Sequence, residues 1–191
     1  MKSLANVKGP LVLVSLLLAV ALASCSKPAQ AALGPAPEFS LPAANGRTFS
    51  LSAERGRAVA LYFGYTHCRD ECPTTLARLA RAARAFGPAG RRVTIAFITV
   101  DPARDSAAVL AAYVRRFGPE VVGLRGTPAQ LAAVERRYHI SATVSRGRGG
   151  AEHVTHDTVV YFIAPDGMLS AIGDASDPHG SFATDLGRLL E

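Results

Sequence analysis

The chain has 191 residues, of which 49% are hydrophobic and 19% charged, and its formal net charge is +6 at pH 7. This length suits one domain with a sizeable core plus a leader, and the composition excludes an intrinsically disordered chain. The basic residues are scattered in runs no longer than pairs, such as Arg91-Arg92. We therefore expect no nucleic-acid partner.

Residues 1–24 predict an export signal. Lys2 and Lys8 give it a positive start, and Leu11 to Leu22 is an apolar run shorter than the ~20 residues that a membrane-spanning helix needs. Residues 22–25 (Leu-Ala-Ser-Cys) then resemble the bacterial lipobox, whose cysteine is lipidated and becomes the mature N-terminus. We predict a lipoprotein anchored through Cys25, on a bacterial cell membrane and facing the periplasm or the exterior. An ordinary signal peptide or an uncleaved anchor also places the domain outside the cytoplasm.

Residues 25–37 are rich in Pro and Ala and have no apolar period, so they predict a disordered tether. The domain is predicted to begin at Glu38 and to run to Glu191. It opens with two alternating segments on either side of Asn45-Gly46, which predict a β-hairpin.

Strands and helices alternate through the rest of the domain. Apolar runs predict core strands over residues 58–63, 93–100 and 158–163, with shorter strands at 121–124 and 168–172. Caps, prolines and apolar spacing predict helices from Cys72 to about Phe86, from Asp105 or Ser106 to Phe117, from Thr127 to about Tyr138, and from Phe182 to Leu190. This order predicts an α/β fold, a thioredoxin-like sandwich with a central mixed β-sheet, helices on both faces and an N-terminal β-hairpin.

The chemistry of the domain centres on Cys68 and Cys72, which lie where the first core strand passes into a helix. Backbone N–H groups and the dipole at a helix N-terminus favour thiolate over thiol. Thiolates bind soft metal ions and attack disulfides. A disulfide between cysteines this close in sequence constrains little of the unfolded chain, so a chemical role is favoured over a structural one.

Two thiolates under-coordinate most metal ions, and histidine is the expected third ligand. His156 and His153 come just before the third core strand, which in a thioredoxin-like sheet lies near the cysteine loop. They also follow SRGRGG (145–150), a segment with the composition of a flexible loop. Spacing leaves both open among the five histidines of the chain, His67, His139, His153, His156 and His179.

Several stretches in order resemble the Sco/SenC family of copper proteins. They are YFGYTHCRDECPTTL (62–76), ITVDPARD (98–105) and HVTHDTVVYFIAPDG (153–167), and the likeness covers about Pro37 to the end. The resemblance implies a membrane-tethered, thioredoxin-fold protein outside the cytoplasm that binds copper, as Cu(I) or Cu(II), through Cys68, Cys72 and His156. It places Asp101 near the site.

The resemblance also implies a function and a partner. Sco-like proteins assist assembly of the dinuclear copper centre of cytochrome c oxidase, so the partner is the copper-accepting subunit of that oxidase or another cuproprotein. The predicted function is that of a copper metallochaperone rather than an enzyme. The alternative is a thiol-disulfide oxidoreductase that uses Cys68 and Cys72 to reduce the cysteines of the oxidase copper site. A peroxiredoxin-like peroxidase supported by Arg69 is a third candidate.

The chain departs from the family pattern beside two of the implied ligands. Arg69 stands where the family commonly has Pro, and its charge is expected to favour the Cys68 thiolate. Thr155 and Asp157 flank His156 where the family commonly has Asp and Ser. Either His156 loses a supporting carboxylate, or Asp157 reaches round to supply it.

Overall fold

The fold is described from a computed structural model that covers residues 33–146, 152–177 and 181–191. The predicted export signal, Cys25 and His179 lie outside the described residues, as does most of the predicted tether. Within the described ranges, no helix is long and apolar enough to cross a membrane.

The centre of the fold is a six-stranded mixed sheet with the order β1-β10-β9-β4-β5-β6. Strands β4, β5 and β6 are parallel, whereas β9 runs antiparallel to β4 and β10 antiparallel to β9. In chain order the strands of the described chain are β1 (Gly34–Pro35), β2 (Ser40–Pro42), β3 (Thr48–Ser50), β4 (Ala58–Gly64), β5 (Val93–Thr99), β6 (Val121–Leu124), β7 (Ala142–Arg146), β8 (Glu152–His156), β9 (Val159–Ile163) and β10 (Met168–Asp174).

Four α-helices accompany the sheet in the described ranges: α1 (Glu71–Ala85), α2 (Ala107–Val114), α3 (Pro128–Arg137) and α4 (Phe182–Leu190). Their starts follow from local sequence. The Ser106 hydroxyl caps α2 by accepting from the Val109 N–H, and Thr127 and Gln130 form a reciprocal capping box at α3. Each such cap satisfies backbone donors that a helix start otherwise leaves without a partner.

Strand β4 is buried along its whole length, and its side chains alternate between two cores. Ala60 and Tyr62 belong to the core beneath α1, α2 and α4, whereas Leu61 and Phe63 belong to the core beneath the β2–β3 hairpin and α3. Successive residues of a strand point to opposite faces, so an apolar run without alternation is what a sheet covered on both sides requires. The predicted mixed sheet with helices on both faces and an N-terminal hairpin is confirmed.

The central sheet includes residues that precede the predicted start of the domain at Glu38. Gly34–Pro35 forms edge strand β1 and pairs with Leu169 and Met168 of β10. The N–H groups of Leu33 and Ala36 add hydrogen bonds of 2.8 and 3.0 Å to this edge. Main-chain pairing needs no apolar periodicity, so the composition of residues 25–37 did not reveal it.

The segment before β9 also differs from the prediction. Strands β7 and β8 form a separate two-stranded antiparallel sheet in which Ala142 pairs with His156 and Arg146 with Glu152. His156 is the last residue of β8. Of the segment predicted to be flexible, Ser145 and Arg146 belong to β7, and the rest lies outside the described residues. Cross-strand pairing stabilises this hairpin, whose mixed polar composition resembles that of a loop.

Candidate metal centre

The cysteine loop is held between β4 and α1. Cys72 is the second residue of α1 and is fully buried, whereas Cys68 precedes the helix and is half-buried. The Cys72 N–H donates to the Cys68 Sγ over 3.2 Å. The Cys68 sulfur thus accepts from a helix N-terminal amide, the role that a capping side chain usually has.

The two thiols differ strongly in acidity. The pKa of Cys68 is lowered to about 5, chiefly because the Cys72 side chain donates to it and further because the backbone N–H groups of Cys72, Asp70 and Glu71 stabilise the thiolate. The pKa of Cys72 is raised, because its thiol is held by the Cys68 thiolate and burial disfavours its charge. Cys68 is therefore the thiol that more readily carries a negative charge, whereas Cys72 is buried and keeps its proton. Arg69, which the sequence suggested as a cause, is not among the main contributors.

Gly64, at the end of β4, makes room for the Cys72 sulfur. A Cβ added at this position would lie 2.6 Å from Cε2 of Phe97 and 3.0 Å from the Cys72 Sγ. Both distances are shorter than van der Waals contact. The absence of a side chain at Gly64 is thus a packing requirement of the site.

His156 reaches the cysteines from the β7–β8 hairpin. Its Nε2 lies 3.8 Å from the Cys72 Sγ, and its Nδ1 lies 2.9 Å from the backbone carbonyl of Asp157. A carbonyl only accepts, so Nδ1 carries the proton and the lone pair of Nε2 faces the sulfur. The ring packs edge-on against Tyr65 with centroids 5.8 Å apart.

The side chain of Asp157 does not support His156. Its Oδ2 instead accepts from the Ser141 N–H at 2.7 Å, next to the start of β7. The backbone carbonyl of the same residue orients the imidazole. His156 thus loses a supporting carboxylate, and Asp157 supplies its hydrogen-bond partner through the main chain instead.

Asp101 is buried and contacts the guanidinium of Arg104. Arg104 in turn lies over the Tyr65 ring, 5.9 Å from its centroid. Asp101 is therefore linked to the cysteine loop indirectly, because it contacts Arg104 and Arg104 packs on Tyr65 of that loop.

A second group of potential ligands lies beside the loop. Among the described residues, His67, Asp101 and Asp105 have ligand atoms within 4.8 Å of one another. Cys68, Cys72 and His156 are not that compact, so one ion bound by all three requires Cys68 or the β7–β8 hairpin to move closer. The three carry the softer donor set, which suits copper, whereas the oxygen-rich group suits harder cations.

An open groove of about 950 Å³ gives solvent access to the half-buried thiol. Its lining includes Tyr65, His67, Cys68, Arg69, Arg78 and Arg81. Cys72 has no exposure, so a partner entering from the groove meets Cys68 first.

Sequence reasoning did not identify Thr66, Tyr65 or Asp105 as site residues, and it considered Asp105 only as a possible helix cap. The Asp105 carboxylate accepts from the N–H and hydroxyl of Thr66 and from the hydroxyl of Thr99. The only sequence signal was that Tyr65 and Thr66 fall inside the motif YFGYTHCRDECPTTL and Asp105 inside ITVDPARD.

Comparison with known proteins identifies the relatives of this chain. The SCO1/SenC family model matches residues 28–191. The chain is 38% identical over 144 residues to the mitochondrial SCO2 homolog of Bos taurus, covering 74% of this chain and 54% of that protein. It is 34% identical over 130 residues to SenC of Rhodobacter capsulatus, covering 63% and 59%. The chain thus spans somewhat more than half the length of these curated relatives.

A solved structure shares the fold and contains a metal ion. ScoI of Bradyrhizobium japonicum with copper bound is 32% identical to this chain and superposes with a TM-score of 0.72. The match covers 81% of this chain and 99% of that one. The likeness therefore extends over nearly all of the solved domain.

Proposed function

Because this chain belongs to the SCO1/SenC family, we propose that it binds copper through Cys68, Cys72 and His156 and delivers it to a cuproprotein outside the cytoplasm. The proposed recipient is the subunit that carries the dinuclear copper centre of cytochrome c oxidase. The observation that carries the proposal is the 3.8 Å approach of the His156 Nε2 to the Cys72 Sγ.

The donor set fits copper. Two sulfurs suit Cu(I), and an imidazole nitrogen adds a ligand that Cu(II) also accepts. The hydrogen bond from Nδ1 to the Asp157 carbonyl orients the ring so that Nε2 is aimed at the sulfur. A partner on the other ring nitrogen is the usual way in which a protein orients a histidine ligand.

Delivery is proposed to proceed by ligand exchange from the groove. Cys68 is the accessible thiol and Cys72 the buried one, so an incoming thiolate or imidazole of the recipient replaces Cys68 first. His156 belongs to a hairpin that is separate from the central sheet, so we propose that it leaves as the ion passes on.

A second candidate function, thiol-disulfide exchange, is favoured by the pKa of about 5 at Cys68. In this reaction the Cys68 thiolate attacks a sulfur of the partner's disulfide, forms a mixed disulfide and releases one partner thiolate. Cys72 then loses its proton and attacks the Cys68 sulfur, which releases the second partner thiolate. Two electrons pass to the partner, and a Cys68–Cys72 disulfide remains. The proposed substrate is the oxidised cysteine pair of the oxidase copper site.

The proposed location is the outer side of a bacterial cell membrane, with Cys25 carrying the lipid. This proposal rests on the sequence of residues 22–25, which end a short apolar run at a cysteine.

The deciding experiment is copper titration of the reduced protein without its first 24 residues. We expect one copper ion per chain, and loss of tight binding of both copper states in Cys68→Ser and Cys72→Ser, because a single thiolate remains. If neither change affects copper binding while both abolish reduction of a model disulfide, the oxidoreductase function replaces the chaperone function.

A further inference from the structure

We propose that Asp105 is a positioning residue for the metal centre: its buried carboxylate holds in place the loop that carries Cys68. The effect expected on copper binding rests on the proposed function. The effect expected on the metal-free cysteine loop does not, and it is tested separately.

The Asp105 side chain is fully buried and accepts three hydrogen bonds. Its Oδ1 accepts from the Thr66 hydroxyl at 2.5 Å, while Oδ2 accepts from the Thr66 N–H at 3.0 Å and from the Thr99 hydroxyl at 2.6 Å. A buried carboxylate is costly unless several donors satisfy it. Two of these three donors belong to Thr66, two positions before Cys68, so the carboxylate acts mainly on the cysteine loop.

The carboxylate itself is anchored to the sheet. Thr99 is the last residue of β5, and its hydroxyl also accepts from the Asp101 N–H at 3.0 Å. On the other side, Arg125 Nε donates to the Asp105 backbone carbonyl at 3.3 Å. Asp105 therefore connects the loop to the end of a buried strand, a rigid support of the kind that a preorganised site needs.

Holding Thr66 in place also holds its neighbour Tyr65, which contacts groups on both sides of the site. Tyr65, its neighbour, packs its ring against His156, and the Tyr65 carbonyl accepts from the Cys68 N–H at 3.3 Å. Thr66, which Asp105 holds, is therefore next to a residue that contacts both Cys68 and His156, the proposed sulfur and nitrogen ligands. Loosening Thr66 is expected to disturb both.

The alternative role for this carboxylate is to bind a cation together with His67 and Asp101. The Arg104 guanidinium already occupies Asp101, and the three donors around Asp105 take up most of the accepting capacity of its carboxylate. The observed hydrogen bonds therefore favour positioning over ion binding.

The test compares two threonines whose hydroxyls each donate to a carboxylate: Thr66 in the cysteine loop and Thr94 elsewhere. Thr66→Val removes one hydroxyl donor to Asp105, and Thr66→Ser keeps it. Thr94→Val is the matched control, because Thr94 lies on β5 and donates to Glu54 at 2.6 Å, but at the opposite end of the strand from Thr99. Asp105→Asn removes the charge with little change of shape.

Two readouts are measured on reduced protein. Hydrogen exchange of the amides at positions 66 and 68, corrected for intrinsic rates, reports the metal-free loop. Competition titration and the Cu(II) thiolate absorption band report the copper site. In Thr66→Val and Asp105→Asn we expect exchange to accelerate at least about 10-fold, copper affinity to fall about 10- to 100-fold and the band to shift. Thr66→Ser should behave like the original protein, and Thr94→Val should stay within about twofold of it for both readouts.

Equal exchange and equal copper affinity in Thr66→Val and Thr94→Val would overturn the proposal. Should Asp105→Asn fail to fold, the three threonine variants decide. Should the unaltered protein bind no copper, the proposed function falls, and the exchange comparison alone decides whether Asp105 positions the loop.

Discussion

The imidazole Nε2 of His156 lies 3.8 Å from the Sγ of Cys72, although 84 positions separate the two residues along the chain. The cysteine lies at the start of α1 and the histidine at the end of β8. The hydrogen bond of Nδ1 to the Asp157 carbonyl directs the lone pair of Nε2 toward the sulfur. This pair brings together one sulfur and the one nitrogen of the proposed three-donor site.

We expect His156→Ala to weaken Cu(II) binding much more than Cu(I) binding, because two sulfurs suffice for Cu(I) whereas Cu(II) also uses nitrogen. The thiolate-to-copper absorption band of the Cu(II) protein should shift or bleach. His153→Ala, in the same strand, is the control. An unchanged band in His156→Ala together with an altered band in His153→Ala would show that His153, and not His156, is the ligand.

We expect the rate at which the reduced, metal-free protein is alkylated at Cys68 to rise with pH around a midpoint of about 5, the lowered pKa of this thiol. In Cys72→Ala the midpoint should move upward, because the side chain that contributes most to the lowering is gone. It should stay below the ordinary 9.0, since the helix amides remain. A midpoint that does not move would mean that Cys72 has no part in the acidity of Cys68.

The same pKa makes stability depend on pH. Cys68 loses its proton at about 5 in the folded protein and at the ordinary 9.0 when unfolded, so between these values the unfolded chain binds more protons. The contribution to folding is full above pH 9 and is lost as pH falls toward 5. Denaturant titrations of the reduced protein should therefore show stability falling over this range, less so in Cys68→Ser. An identical pH dependence in the two proteins would contradict the assignment.

Gly64→Ala should destabilise the protein by about 1–3 kcal/mol, because the new Cβ overpacks against Phe97 and the Cys72 sulfur. It should also weaken copper binding. Gly123→Ala is the matched control, since its Cβ would lie 2.7 Å from Leu110 Cγ in the core, and the nearest atoms belong to Leu110 and Val114 rather than to a cysteine. Denaturation and copper titration of both variants separate overpacking from displacement of the sulfur. Equal copper affinity in the two would show that Gly64 matters for packing alone.

Cys25→Ser should slow processing of the export signal and release the protein from the membrane, because the lipid is the proposed anchor. Membrane fractionation and mass spectrometry of the mature N-terminal fragment measure this. A mature fragment that begins at Cys25 without acyl mass would remove the lipoprotein assignment, whatever the outcome of the copper experiments.

The sequence by itself determined the features that depend on neighbours along the chain. The uninterrupted apolar runs of β4 and β5 indicated strands buried on both faces, and Thr127-Pro128 indicated a helix start. Cys68 and Cys72 fell at a strand-to-helix junction, and the ordered motifs around them predicted the family, which the comparisons confirm. Each of these signals is local, because caps, turns and periodicity are set within a few residues.

Only the tertiary structure decided which groups meet across the sheet. His153 and His156 were equivalent by spacing, and strand pairing brings the Nε2 of His156 to the Cys72 Sγ. The carboxylate of Asp157 accepts from Ser141, and the carbonyl of Asp157 accepts from His156. Which acceptor faces His156 depends on the pairing of β7 with β8. The bonds of Asp105 to Thr66 join positions 39 residues apart. Such contacts follow from how strands and helices pack, and packing is a property of the whole core rather than of any segment.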